Sequence, residues 1–396
     1  MLMFVIFGAV LLLMLLGVST AVTMGFASIA TFLFAGGDPA RLFLVPQRMF
    51  AQVSGITLMS IPFFLLMGNL MTVGGVSKSL FGFGRVCLGH RWGGLSNAAI
   101  VACVVMAAMS GSAAACAAGI GMIAINEMTK SGYGRPFSCA TIAAGAVPGL
   151  LLGIMFMGWS SWVSARRNYA KTEPAPWRER LQAFREAFFA LMTPVIVMGG
   201  MFGGIFTATE AAAVASLYVM FLGFFVYGTL RVRDLPAIFW NTVEQTAKVM
   251  FVIATAGFFQ YVLLYTRIPQ QAIAFISTSF ATAAPVLLLI IALLVLMGCF
   301  MEGTAILLIT VPIFVPLAKS FGYDIVQLGI VMCISLAIGV LTPPVGLNLY
   351  VMSSITGEHV LAIAKEAVGY VLIMIIVAIL VAFIPELSLG FAKWVP

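Results

Sequence analysis

The chain has 396 residues, 62% hydrophobic and only 8% charged, with 20 Lys and Arg against 13 Asp and Glu. A soluble domain carries about 25% charged residues, so the composition excludes a soluble globule and predicts about ten or more membrane crossings or half-crossings. The basic surplus sits in short loops, where it sets orientation in a bilayer; it does not point to a nucleic acid.

Residues 2–35 are almost wholly apolar, too long for one ordinary span, with Ser19, Thr20 and Thr23 as candidate bend positions. The N-terminus has no basic n-region and reads as a retained first span, not a removed signal peptide. Loop 36–48 holds Asp38, Arg41 and Arg48. A span is expected at 54–73 with Pro62 inside it, then an interfacial stretch at 74–92 with Lys78, Arg85, His90 and Arg91.

From Gly93 an apolar run reaches Ser110-Gly111-Ser112, and a second leaves it and ends at Lys130. Both flanks are basic, which predicts a re-entrant hairpin with its tip at Ser110, Gly111 and Ser112. The plainer alternative is two ordinary helices with a small-residue packing contact. Residues 137–163 form one apolar stretch interrupted at Pro148-Gly149. The loop 164–186 is the most polar part of the chain and reads as cytoplasmic. Within it, 178–190 is either an amphipathic helix along the membrane or a pure linker.

Spans are expected at 189–206, 209–228 and 246–265, with a shorter segment from Pro269 to about 283. A second hairpin runs from Pro285, turns at Glu302-Gly303-Thr304 and returns to Lys319. The segment 325–356 is broken at Thr342-Pro343-Pro344-Val345-Gly346, and a last span covers 361–384.

The two hairpins correspond. Met109-Ser110-Gly111-Ser112 is followed by Gly132-Tyr133, and Met301-Glu302-Gly303-Thr304 by Gly322-Tyr323. The tip glycines stand 192 residues apart and the Gly-Tyr turns 190. Helices broken at matching points of two repeats mark a secondary transporter, because freed backbone groups at membrane depth are tolerated only where they line a cavity or hold an ion.

The strongest local signal is the stretch from Thr342 to Asn348. Its two prolines bar a continuous helix, Gly346 admits close approach, and Thr342 and Asn348 add side-chain oxygens. Such a cluster suits a small hard cation; the alternative is a plain proline kink satisfied by neighbours. Carboxylates in apolar context are few. Glu302 is a candidate for a cation or a proton, or reaches the interface. Glu127 ends the first hairpin, and Glu210 follows Thr209 as at a helix start. The six cysteines have no metal spacing and read as apolar fillers. No HExxH, GxSxG or P-loop pattern occurs, so no enzyme is expected, and transport would be driven by an ion gradient.

At these residues the chain resembles the large membrane subunit of the tripartite ATP-independent periplasmic (TRAP) transporters. The matching stretches are Ile61-Pro62-Phe63-Phe64 with Gly68, Gly93-Gly94-Leu95-Ser96-Asn97, Met109 to Ala115, Thr207 to Ala213, and Leu341 to Tyr350. The resemblance implies an all-α polytopic protein of the bacterial inner membrane, with two inverted repeats, re-entrant hairpins, and elevator-type transport and scaffold domains. It implies import of a small organic acid, with a small membrane subunit and a periplasmic receptor as partners. Sodium is the expected coupling ion, with no further cofactor. Carried over, one cation site lies at Asn97, Ser110, Gly111 and Ser112. The second lies at Gly303, Thr304, Thr342, Pro343, Gly346 and Asn348. Substrate is expected at Ser110, Ser112, Glu302, Thr304 and Asn348.

On this reading the domains are 1–92 (scaffold), 93–163 (first transport repeat), 164–265 (connector and scaffold), 266–356 (second transport repeat) and 357–396 (last span). One departure stands out. Gly322 to Ala367 is 45 residues, whereas Gly132 to the similar Ala146 is 14, so the first half is short by 31. If both its flanks are cytoplasmic, 137–163 must turn back, at Pro148-Gly149. Two alternatives follow: a fold-retaining variant with impaired transport, or a stand-alone ion-coupled anion transporter.

Overall fold

The computed structural model describes residues 8–10, 12–13, 18–110, 113–147, 149–279, 282–300, 303–343 and 346–392. Among them the only regular elements are helices. Five are long and apolar enough to cross a membrane: Trp177–Phe202, Ala208–Val226, Val232–Tyr265, Gly303–Ser320 and Val360–Phe383. Shorter apolar helices accompany them, so the all-helical membrane architecture expected from composition is present.

The chain divides into two compact units. The first comprises Met1–Leu58, Ala247–Val340 and Ile375–Pro396; the second comprises Met59–Thr246 and Leu341–Met374. Numbered along the chain, the helices begin with α1 (Thr20–Phe34), α2 (Leu44–Val53), α3 (Ser60–Val73) and α4 (Val76–Leu88). The stretch 74–92 is thus mostly helical. It bends 62° from α3 at Gly74-Gly75, where Gly75 takes the left-handed conformation (φ 80°).

In the second unit, α5 (Gly94–Ser110) and α6 (Ala113–Lys130) pack against each other. They are 17 and 18 residues long, about 26 Å, just short of a full crossing. The Cys116 thiol donates to the Cys103 carbonyl at 3.2 Å, fixing one helix on the other. α7 (Arg135–Gly145) has 11 residues, about half a membrane, and α8 (Leu150–Arg166) follows after a break at Ala146, Val147 and Gly149.

The ends of α7 and α8 meet. Tyr133, just before α7, lies 4.5 Å from Tyr169, just after α8 (ring centroids). Phe137 lies 5.7 Å from Tyr169, and the Arg167 guanidinium sits over the Phe137 ring at 5.6 Å. The segment 135–167 therefore folds back on itself, with its two ends together, as expected for a stretch whose flanks lie on one side of a membrane. The turn falls where it was expected, at Gly149; Pro148 lies outside the described residues.

α9 (Trp177–Phe202) runs unbroken for 26 residues. Residues 178–190 are thus the first part of the following span, not a linker. Their Arg and Glu side chains mask in the hydropathy a helix that the backbone simply continues. α10 (Ala208–Phe221) opens with a capping box: the Thr207 hydroxyl accepts from the Glu210 N–H, and Glu210 accepts from the Thr207 N–H at 2.8 Å. Glu210 is thereby explained as a helix-start residue. α10 packs on α3, where Ser216 donates to the Phe63 carbonyl at 2.7 Å.

α11 (Leu235–Tyr265) starts earlier than the apolar run, since Glu244 and Lys248 lie inside it. The first unit also holds α12 (Ile268–Ser279), α13 (Ala283–Gly298), α14 (Gly303–Ser320) and α15 (Ile325–Gly339). α13 and α15 meet at Gly298 and Gly339, where a Cβ on Gly339 would run into the Gly298 backbone. Only glycine permits that approach. α15 is capped by Asp324, whose carboxylate accepts from the N–H groups of Val326 and Gln327. Then come α16 (Leu347–Thr356), α17 (Val360–Phe383) and α18 (Glu386–Ala392).

Candidate functional site

The break expected at Thr342 is present. α15 ends at Gly339 and α16 begins after Gly346, whose φ of 60° is left-handed. Helices of 15 and 10 residues, about 22 Å and 15 Å, each cover only part of a bilayer. Gly346 also meets its neighbours closely: a Cβ there would lie 3.1 Å from the Thr342 carbonyl and 2.9 Å from Leu349 Cδ1. Both glycine requirements, positive φ and close approach, apply at this one residue.

Asn348 stands in the first turn of α16 and is only 1% exposed. Its Nδ2 donates to the Ala143 carbonyl near the end of α7 at 3.1 Å. Its Oδ1 is buried with no hydrogen-bond partner among the described residues. Asn97, in the first turn of α5, repeats the pattern. It is 6% exposed, its Nδ2 donates to Ser161 Oγ on α8 at 2.8 Å, and its Oδ1 is likewise buried and without a partner among the described residues. A buried oxygen left unpaired costs about 1–3 kcal/mol. Two asparagines that are each anchored by an Nδ2 hydrogen bond and leave Oδ1 bare present hard oxygen, the chemistry a small cation takes.

A polar seam lies beside Asn97. The Ser160 hydroxyl donates to Ser96 Oγ, which donates in turn to the Gly93 carbonyl at 2.8 Å. The buried Tyr370 hydroxyl bonds Thr141 Oγ1 at 2.9 Å, joining α17 to α7. Gly369 on α17 lies against the Trp159 indole of α8, leaving no room for a side chain. Arg167 and Glu366 pair at 3.0 Å at the same end. The seam residues Ser160 and Ser161 were missed in the sequence; a Ser-Ser pair inside an apolar run was the available signal.

Other expected site residues divide. Thr342 is half-buried and Pro343 exposed, in the same break as Asn348. Gly303 and Thr304 belong to the first unit; Thr304 is exposed, and a Cβ on Gly303 would meet Leu336 at 3.7 Å. Gly111, Ser112, Glu302 and Pro344, and the side chain of Ser110, lie outside the described residues. Glu127 is half-exposed and ion-paired to Arg85 and Lys130, which gives it a structural place.

Residues 7–147 and 139–387 match the family model described as "Tripartite ATP-independent periplasmic transporter, DctM component". The chain belongs to this family. It is 36% identical over 403 positions to the C4-dicarboxylate TRAP transporter large permease protein DctM of Pseudomonas aeruginosa, covering 94% of each chain. It is 35% identical over 374 positions to the sialic acid TRAP transporter large permease protein SiaM of Vibrio cholerae, covering 87% of this chain and 88% of that one. Among solved structures, the YdaH transporter of Alcanivorax borkumensis is similar in fold, with a TM-score of 0.54, 14% identity and 90% of each chain covered. These relatives are permease subunits, not enzymes.

The family match also places the shortage. Its two pieces both take in 139–147, the end of α7 and the turn after it. The 403 aligned positions hold 94% of the 396 residues, so about thirty positions of the Pseudomonas protein have no counterpart in this chain.

Proposed function

We propose that this chain is the large permease subunit of a tripartite importer of a small organic acid, driven by sodium, in the inner membrane of a bacterium. Its partners are a small membrane subunit and a periplasmic receptor. Two inverted repeats, the first a re-entrant hairpin with a shortened broken segment and the second a re-entrant hairpin with a full broken helix, form the moving part of an elevator.

One observation carries the sodium assignment: Asn348 Oδ1, buried and unpartnered, beside the left-handed Gly346 in a helix break. The free oxygen and the freed backbone of the break suit a hard cation. The carboxylate assignment draws on the relatives, whose names specify C4-dicarboxylates and sialic acid. The half-helix N-terminus of α16 offers a place for such an anion. Within the second unit, substrate would meet Ser110, Ser112 and Asn348, and the ion would meet Thr342, Pro343, Gly346 and Asn348.

The first cation site, at Asn97, Ser110, Gly111 and Ser112, is altered in our reading. The second half of the broken helix that would line it is absent, and α8 returns in its place with Ser161 on Asn97. This favours a second reading, a fold-retaining chain with impaired transport. Uptake in proteoliposomes with both partners separates them. Sodium-driven accumulation supports the importer, and its absence with an assembled complex supports the impaired variant.

A further inference from the structure

A cavity of about 1150 Å³ opens in the second unit between α4, the last turns of α6 and the first turns of α9. Lys78 and Arg85 line it from α4, seven residues apart; Arg178 and Arg185 line it from α9, also seven apart. Seven residues are two helical turns, about 10.5 Å, so each pair recurs on one face of its helix. Two basic rows therefore border one groove.

The acids in the groove are already engaged. Glu127 holds Arg85 at 3.3 Å and Lys130 at 3.9 Å. Glu186 Oε1 accepts from Gln182 at 3.0 Å. Among the described residues Lys78, Arg178 and Arg185 form no ion pair. The rest of the wall is largely apolar, with Phe81, Phe83, Leu181 and Phe189. The frame is fixed by the Glu186 carbonyl, which accepts from Ser79 Oγ and from the Tyr227 hydroxyl, each at 3.0 Å.

We propose that this groove holds an acidic phospholipid of the surrounding bilayer. Its phosphate would lie between the two basic rows and its acyl chains along the aromatic wall. A free phosphate matches the first part of the surface only, and an apolar peptide the second only. A basic groove between membrane helices, at their most basic end, complements both parts of such a lipid. The site is independent of the transport reaction and does not rest on the proposed substrate or ion.

The test uses the full chain, purified in detergent and loaded with phosphatidylglycerol or phosphatidylcholine, with retained lipid counted by native mass spectrometry. Phosphatidylglycerol is expected to be retained over phosphatidylcholine. The Arg178→Gln/Arg185→Gln variant should bind it roughly 25-fold more weakly, since each basic side chain near an acidic lipid is worth about a factor of five. Arg231→Gln/Arg233→Gln, with the same charge change, should bind as the parent does. An unchanged melting temperature without lipid shows that the variants are folded. Equal retention by the two double variants overturns the proposal. So does full displacement of the lipid by inorganic phosphate, or a cross-link from Arg178→Cys to a partner chain with no lipid retained.

Discussion

Asn348 donates from Nδ2 to the main-chain oxygen of Ala143, 3.1 Å away and 205 residues earlier in the chain. The bond joins the broken helix of the second half to the shortened helix of the first. It orients the amide and leaves Oδ1 bare. Replacing Asn348 with Leu removes both the bond and the candidate ligand. An ion contact as strong as a charged hydrogen bond, about 2 kcal/mol, is worth roughly thirtyfold in affinity. The sodium concentration for half-maximal uptake should rise by about that factor, or uptake should vanish.

Gly346 is held at φ 60° with the Thr342 carbonyl against it. Gly346→Ala forces a side chain into the left-handed region, at about 1–2 kcal/mol, and into contact with Thr342. Thermal melting in detergent should fall. The apparent sodium affinity should fall too, because the break itself changes shape.

The Tyr133–Tyr169 contact makes the folding-back of α7 and α8 measurable. In a chain with its six native cysteines replaced, Tyr133→Cys/Tyr169→Cys should be joined by a short bifunctional thiol cross-linker. A segment that crossed the bilayer would hold these positions about 30 Å apart and give no cross-link.

Gly298 and Gly339 meet with no space for a Cβ. Gly339→Leu should separate α13 from α15, with loss of folded protein from the membrane. Gly329→Leu, on α15 where nothing lies within 4 Å of an added Cβ, should be tolerated. Recovery from the membrane fraction, measured by size-exclusion profile, checks both.

The helices were legible where apolar runs are long and where Gly or Pro interrupts them. The break before Asn348 and the turn at Gly149 were both readable for that reason. The starts of α9 and α11 were not, because Arg, Glu and Lys side chains lower the hydropathy without ending the helix. In the sequence Asn97 and Asn348 were visible only as candidate oxygen ligands. That each spends its amide nitrogen and leaves its oxygen bare depends on Ser161 and Ala143. Those partners lie on elements distant in sequence, and no local pattern points to them. Glu210 looked like a helix start and is one, since its capping box is wholly local.

The measurement that decides most is uptake of the labelled organic acid that the receptor binds, into proteoliposomes holding this chain, its small subunit and its receptor. Accumulation is expected under an inward sodium gradient and none with potassium, with a simple saturating dependence on sodium and loss of accumulation in Asn348→Leu. Uptake that is equal in potassium, or that survives in Asn348→Leu with unchanged sodium dependence, would contradict it.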